Sequence, residues 1–219
     1  MKKSLTIGTI LMITFFMSSY LFAQEKETIR KTTKTSGDFL RERIYYVNGK
    51  EVARDIWDKE GNRKIVGKIP DGLVKEYDEN GQLVGEDNYK NGELDGLSRL
   101  YGGKDRHLLL EINYKNGKAR VWKTYYENGV LRMEINYKNG KRNGIERLYT
   151  KNEKLGIESN WKDGKRDGIT KIYWEDGDII AYIDTYKNGE KINRKAYGRE
   201  GKLEFDQDYP YIEKEGKVK

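Results

Sequence analysis

The chain lacks cysteine altogether and carries one histidine, His107, and two prolines in 219 residues. Without cysteine there are no disulfides, no thiol nucleophile and no lipid-modified N-terminus of the bacterial lipoprotein type. With a single histidine, a typical zinc site and a Ser-His-Asp triad away from His107 are excluded as well. His107 itself stands between Arg106 and Leu108 in an irregular stretch, the place of a surface loop residue. Long apolar runs are missing after residue 23, and no later segment keeps a helical period. Glycines fall at turn positions, with no phosphate-cradling motif ahead of a helix. Carboxylates are plentiful, but Glu86, Glu111, Glu134 and Glu158 recur with a repeat, whereas a hydrolytic pair is a local exception. This inventory predicts a protein without enzymatic activity, cofactor or metal.

The N-terminus is organised differently from the rest. Lys2 and Lys3 precede an uncharged stretch from Ser4 to Phe22, and strong polarity resumes at Gln24, Glu25 and Lys26. A short positive region, an apolar run and a small residue at Ala23 predict a secretory signal over residues 1–23, cleaved after Ala23. The alternative is an uncleaved anchor, for which the run is just long enough. Export places the protein in the periplasm, the cell envelope or outside the cell. Residues 24–37 are polar and read as a mobile leader.

Charged residues make up 36% of the chain and hydrophobic ones another 36%, a balance that by itself suggests disorder. Seventeen tyrosines, four tryptophans and five phenylalanines argue against it. So does the repeat. Tyr77, Tyr101, Tyr125, Tyr149, Tyr173 and Tyr197 recur every 24 residues, each two positions after Lys75, Arg99, Lys123, Arg147, Lys171 and Lys195. A second aromatic column runs Tyr89, Tyr114, Tyr137, Trp161, Tyr186 and Tyr209. Between turn signals the polarity alternates: Leu131, Met133, Ile135 and Tyr137 share one parity, Arg132, Glu134, Asn136 and Lys138 the other. Period two means strands.

Asn80-Gly81, Asn128-Gly129 and Asp176-Gly177 are dipeptides favoured in two-residue type I′ turns. Asn91-Gly92, Asn116-Gly117, Asn139-Gly140, Asp163-Gly164 and Asn188-Gly189 punctuate the other end of each unit. A two-residue turn at Asn128-Gly129 sets Lys123 opposite Glu134, and the same arithmetic sets Lys75 opposite Glu86 and Arg147 opposite Glu158. A basic column should thus lie beside an acidic one. The expectation is an all-β chain: an elongated, twisted antiparallel sheet of about six 24-residue hairpins.

The phrases Tyr125-Tyr126-Glu127-Asn128-Gly129 and Tyr137-Lys138-Asn139-Gly140-Lys141-Arg142-Asn143-Gly144 resemble the MORN-repeat variant of bacterial proteins labelled YwqK-type antitoxins. The resemblance covers about residues 72–209. Degenerate copies occupy 38–71, as at Tyr46-Val47-Asn48-Gly49 and Trp57-Asp58-Lys59-Glu60-Gly61, and 210–219 form a C-terminal tail. It implies an elongated sheet of successive hairpins forming one repeat domain. Repeat three departs from the pattern, with Arg120 where others have Gly72, Gly96, Gly144 or Gly168; the last unit runs into Pro210, which ends or caps the sheet.

Two surfaces are candidates for binding. One turn edge carries Lys115, Lys118 and Arg120, then Lys138, Lys141 and Arg142, then Lys162, Lys165 and Arg166, then Lys187 and Lys191. These bases are expected in turns, where they would meet an anionic lipid or envelope polymer or, alternatively, serve only to discourage aggregation. The other candidate is the aromatic face of Tyr77, Tyr101, Tyr125, Tyr149, Tyr173 and Tyr197, suited to a sugar polymer or to burial between hairpins. The expected function is a non-enzymatic scaffold of the envelope or exterior that binds a protein partner or an anionic surface. Alternatives are an antitoxin-like or immunity-like protein and a carbohydrate-binding protein. Nucleic acid is disfavoured by export and by the interleaved acids.

Overall fold

The computed structural model describes residues 29–36 and 40–210. The expected signal segment, residues 1–23, and the tail beyond Pro210 lie outside the described residues. Within them every regular element is a β-strand. The chain forms two units, Met1–Gly67 and Lys68–Lys219, so the boundary falls four residues before the expected one at Gly72.

The first unit holds β1 (Ile29–Ser36), β2 (Leu40–Val47), β3 (Lys50–Trp57) and β4 (Arg63–Gly67), each antiparallel to the next. Residues 29–36 were expected in a mobile leader, but their backbone pairs with β2 from Ile29↔Val47 to Ser36↔Leu40. Polar side chains do not prevent pairing, because the ladder uses main-chain groups and the run contains β-branched threonines. Asp55 is fully buried and accepts two bonds from the Arg63 guanidinium at 2.7 and 2.6 Å. Arg43 and Arg63 both lie over the Trp57 ring, at 5.1 and 5.5 Å.

Six hairpins make up the second unit. Their strands are β5 (Gly72–Tyr77) and β6 (Leu83–Lys90), β7 (Glu93–Gly102) and β8 (His107–Lys115), β9 (Lys118–Tyr125) and β10 (Leu131–Lys138), β11 (Lys141–Tyr149) and β12 (Leu155–Lys162), β13 (Lys165–Tyr173) and β14 (Ile180–Lys187), and β15 (Glu190–Tyr197) and β16 (Leu203–Asp208). From β5 to β16 each strand pairs antiparallel with the next in sequence. The strands end at Asp208, just before Tyr209 and Pro210. His107 opens β8 opposite Gly102 rather than lying in the loop.

The two-residue type I′ turns fall at the opposite end of each unit from the one expected. Asn91-Gly92, Asn116-Gly117, Asn139-Gly140, Asp163-Gly164 and Asn188-Gly189 have positive φ at both residues, from 48 to 94°. These are the type I′ turns. At Asn128-Gly129 only the glycine is left-handed (φ 80°), Gly129 N–H donates to Tyr126 O, and Tyr126 N–H donates to Val130 O. That is a three-residue loop built on a type I turn with a left-handed glycine and a bulge. Gly81 repeats it, Glu153 takes the left-handed place at φ 62°, and the Gly177 loop is one residue longer, with Trp174 N–H donating to Ile179 O. The bulge between Leu131 and Met133 adds back the residue that the longer loop takes up, so Lys123 still faces Glu134. Lys75↔Glu86 and Arg147↔Glu158 hold as well.

Candidate functional site

Strand parity gives the second unit two faces of different chemistry. On one, a single cross-strand row reads Lys75, Glu86, Arg99, Glu111, Lys123, Glu134, Arg147, Glu158, Lys171, Ile183, Lys195 and Asp206. Charge alternates in sign at every strand but one. The contacts range from Arg147–Glu158 at 2.8 Å and Arg99–Glu111 at 2.9 Å to Lys123–Glu134 at 3.9 Å. Hydrogen bonds from Arg99 and Arg147 to their glutamates hold both guanidinium pKa values above the ordinary one. Tyr77, Tyr101, Tyr125, Tyr149, Tyr173 and Tyr197 lie two residues along from the row's bases, on the same face, and all are half-buried. Burial, then a 2.9 Å hydrogen bond donated to Glu86, raises the Tyr101 pKa. The tyrosines are thus packed into a charge network, with little open ring surface.

The opposite face carries the second aromatic column. Gly72, Gly96, Gly168 and Gly144 pair across strands with Tyr89, Tyr114, Tyr186 and Trp161. These glycines have φ between 99 and 112°, a conformation side chains rarely adopt. The bulge beside Gly96, Gly144 and Gly168 frees a carbonyl, which the repeat's asparagine satisfies: Asn88 Nδ2 donates to Leu97 O at 2.7 Å, Asn136 to Ile145 O at 2.7 Å, and Asn160 to Ile169 O at 2.8 Å. Under the rings lie buried acids. Glu146 accepts from Trp161 Nε1 at 2.8 Å and from Arg142 at 3.1 Å. Asp184, 1% exposed, accepts from Arg194 at 2.6 and 2.7 Å and lies 2.9 Å from Lys191 Nζ. Burial alone would raise the Asp184 pKa; the bonds from Arg194 and Lys191 outweigh it and hold the carboxyl below the usual value.

This arrangement divides the expected basic edge. Arg142, Arg166 and Lys191 belong to the aromatic face. Arg142 and Arg166 lie over the Trp161 ring at 4.8 and 5.5 Å, Arg166 over Tyr186 at 5.4 Å, and Lys191 over Tyr186 and Tyr209 at 5.9 and 6.0 Å. They are half-buried parts of the fold, and they lie in strands, not turns. Such stacks contribute about 0.5–1 kcal/mol each where exposed and more where desolvated.

The other bases do form an edge. Lys115, Lys138, Lys162 and Lys187 end β8, β10, β12 and β14, and Lys118, Lys141 and Lys165 begin β9, β11 and β13. All seven are exposed, as is Arg120. They too lie at strand ends rather than within the turns. Lys115 faces Lys118, Lys138 faces Lys141 and Lys162 faces Lys165 across three successive type I′ turns. Lys115 also reaches Asp95 at 3.2 Å. In the flanking turns the equivalent pairs are of opposite charge, Lys90↔Glu93 and Lys187↔Glu190.

Sequence reasoning missed what ties this edge together. The Gly117, Gly164 and Gly189 amides donate to Leu94, Arg142 and Arg166 carbonyls of the preceding hairpin at 2.8–2.9 Å. Carboxylates of Asp71, Asp95 and Asp167 accept from the Asn91, Asn116 and Asn188 amides at 2.7, 3.2 and 3.0 Å. The signal was present as an Asp before each of the glycines at 72, 96 and 168. The turns at 91–92, 116–117, 163–164 and 188–189 are therefore fixed against the preceding hairpin, and the lysine pairs repeat every two strands, about 10 Å.

Residues 70–91, 121–139 and 166–188 match the family model described as MORN repeat variant. No curated protein matches the chain.

Proposed function

From the MORN-variant repeats that this chain carries, we propose that it is a non-enzymatic scaffold of the cell envelope or exterior that docks on an anionic surface through its three lysine-paired turns. The observation that carries this reading is the like-charge pairing at Lys115–Lys118, Lys138–Lys141 and Lys162–Lys165. Like charges directly opposite each other cost stability, on the order of 0.2–1 kcal/mol per pair. The flanking turns avoid that cost with Lys–Glu pairs, so the central three hold their charge against local stability. Opposite an anionic surface each lysine gains about 1 kcal/mol within a Debye length of roughly 8 Å. The signal-like N-terminus supports the envelope as the compartment.

The test is co-sedimentation of the protein lacking residues 1–23 with phosphatidylglycerol vesicles against phosphatidylcholine vesicles. The protein should pellet with the former only, and less as salt rises. Equal binding to both lipids, or binding that persists at about 1 M salt, would remove the edge as the docking surface.

A further inference from the structure

Two strands have a neighbour on one side only. Among the described residues β4 pairs with β3 alone and β16 with β15 alone, and the two stand at the ends of the strand order. An open edge presents a row of free N–H and C=O groups, ready to pair with another extended chain. Every residue of both strands is exposed. Large apolar side chains are exposed with them, Ile65 and Val66 at 43 and 48% on β4, Leu203 and Phe205 at 47 and 43% on β16.

Charge decides what each edge accepts. β16 carries Glu204, Asp206 and Asp208 and no base, whereas β4 carries Arg63 and Lys64 and no acid. Pairing β16 with a second β16, or β4 with a second β4, opposes like charges, which destabilises a ladder. Pairing β16 with β4 opposes unlike ones. An antiparallel register with Asp206 opposite Lys64 also sets Phe205 opposite Ile65 and Leu203 opposite Gly67. Strand alternation then keeps Asp206 and Lys64 on one face, Phe205 and Ile65 on the other. Arg63 is already bonded to buried Asp55, but Lys64 makes no ion pair among the described residues. Asp206 lies 3.5 Å from Lys195, so Lys64 of a second copy would place it between two bases, as Glu134 lies between Lys123 and Arg147. We infer that copies of this chain associate head to tail, the β16 edge of one pairing antiparallel with the β4 edge of the next. Each copy offers one edge of each kind, so the contact is heterologous and can continue from copy to copy. β4 is five residues long, a short ladder that makes the association depend on concentration.

The chain has no cysteine, so disulfide trapping reads this register directly. Ile65→Cys and Phe205→Cys proteins of distinguishable mass, prepared as for the vesicle test, are mixed and oxidised. Directly opposed residues of an antiparallel ladder have Cα atoms about 4.5–5.5 Å apart, within the roughly 4.4–6.8 Å that a disulfide spans. The expected product is the mixed dimer, with little of either symmetric one. Sedimentation velocity of the parent should show mass rising with concentration. Lys64→Glu should weaken this association about fivefold, the size of an exposed ion pair, while Lys104→Glu, in the exposed loop between β7 and β8, should leave it unchanged. A monomer at every concentration, symmetric dimers or a statistical mixture of all three, or Lys64→Glu acting no more strongly than Lys104→Glu would overturn the assignment. None of these variants touches the lysine-paired turns, so vesicle binding and self-association succeed or fail independently.

Discussion

Removing the Asp184 carboxylate should cost several times more stability than removing Glu134, although both are acids in cross-strand ion pairs. Asp184 is 1% exposed and receives two short bonds from Arg194 and one from Lys191. Hydrogen bonds to charged groups contribute about 1.5–3 kcal/mol each, and breaking a buried pair costs about 3–5 kcal/mol. The cations are about one-third exposed and regain water when the acid is removed, so Asp184→Ala should cost about 3 kcal/mol. Glu134 stands 3.9 Å from Lys123 on the half-exposed row and makes no short bond to it, so Glu134→Ala should cost at most about 1 kcal/mol. Urea unfolding of both variants, followed by circular dichroism, gives the two differences directly. Equal losses would refute the assignment of the aromatic face as the packed side of the second unit.

The remaining predictions concern the same elements. The Asp184 carboxyl titrates below its unfolded value of about 3.9, so its stabilisation is complete above that pH and is lost as pH falls through the lower folded value; Asp184→Asn should flatten the thermal stability profile below about pH 4. Gly168 has φ 99° and faces Tyr186, so Gly168→Ala should cost on the order of 1–3 kcal/mol, whereas Gly156→Ala, at ordinary φ, should cost less. Trp161→Ala removes two cation stacks and the bond to Glu146 and should lower stability by about 2–4 kcal/mol, measured by the shift in urea midpoint.

Much of this was legible in the sequence. The 24-residue spacing gave the hairpins, and turn arithmetic gave Lys123 opposite Glu134 even though the turn was the wrong type, because the bulge after Leu131 compensates. The full charge row was not legible, because it needs the register across the other turns as well. There the pairing shifts at a glycine bulge, between Ile135 and Tyr137 for instance, and no single dipeptide reveals that offset. The basic edge was over-read for a simpler reason. Lys141 and Arg142 are neighbours in one strand, and successive side chains point to opposite faces. Parity alone separates the exposed lysine from the arginine that stacks on Trp161.

The most direct test of the docking surface uses that separation. Lys138, Lys141, Lys162 and Lys165 are exposed and make no ion pair among the described residues, so reversing all four to glutamate should leave the melting temperature near that of the parent. Binding to phosphatidylglycerol vesicles should disappear, because four favourable charges become four unfavourable ones at about 1 kcal/mol each. A stable quadruple variant that still binds these vesicles as the parent does would contradict the lysine edge as the docking surface.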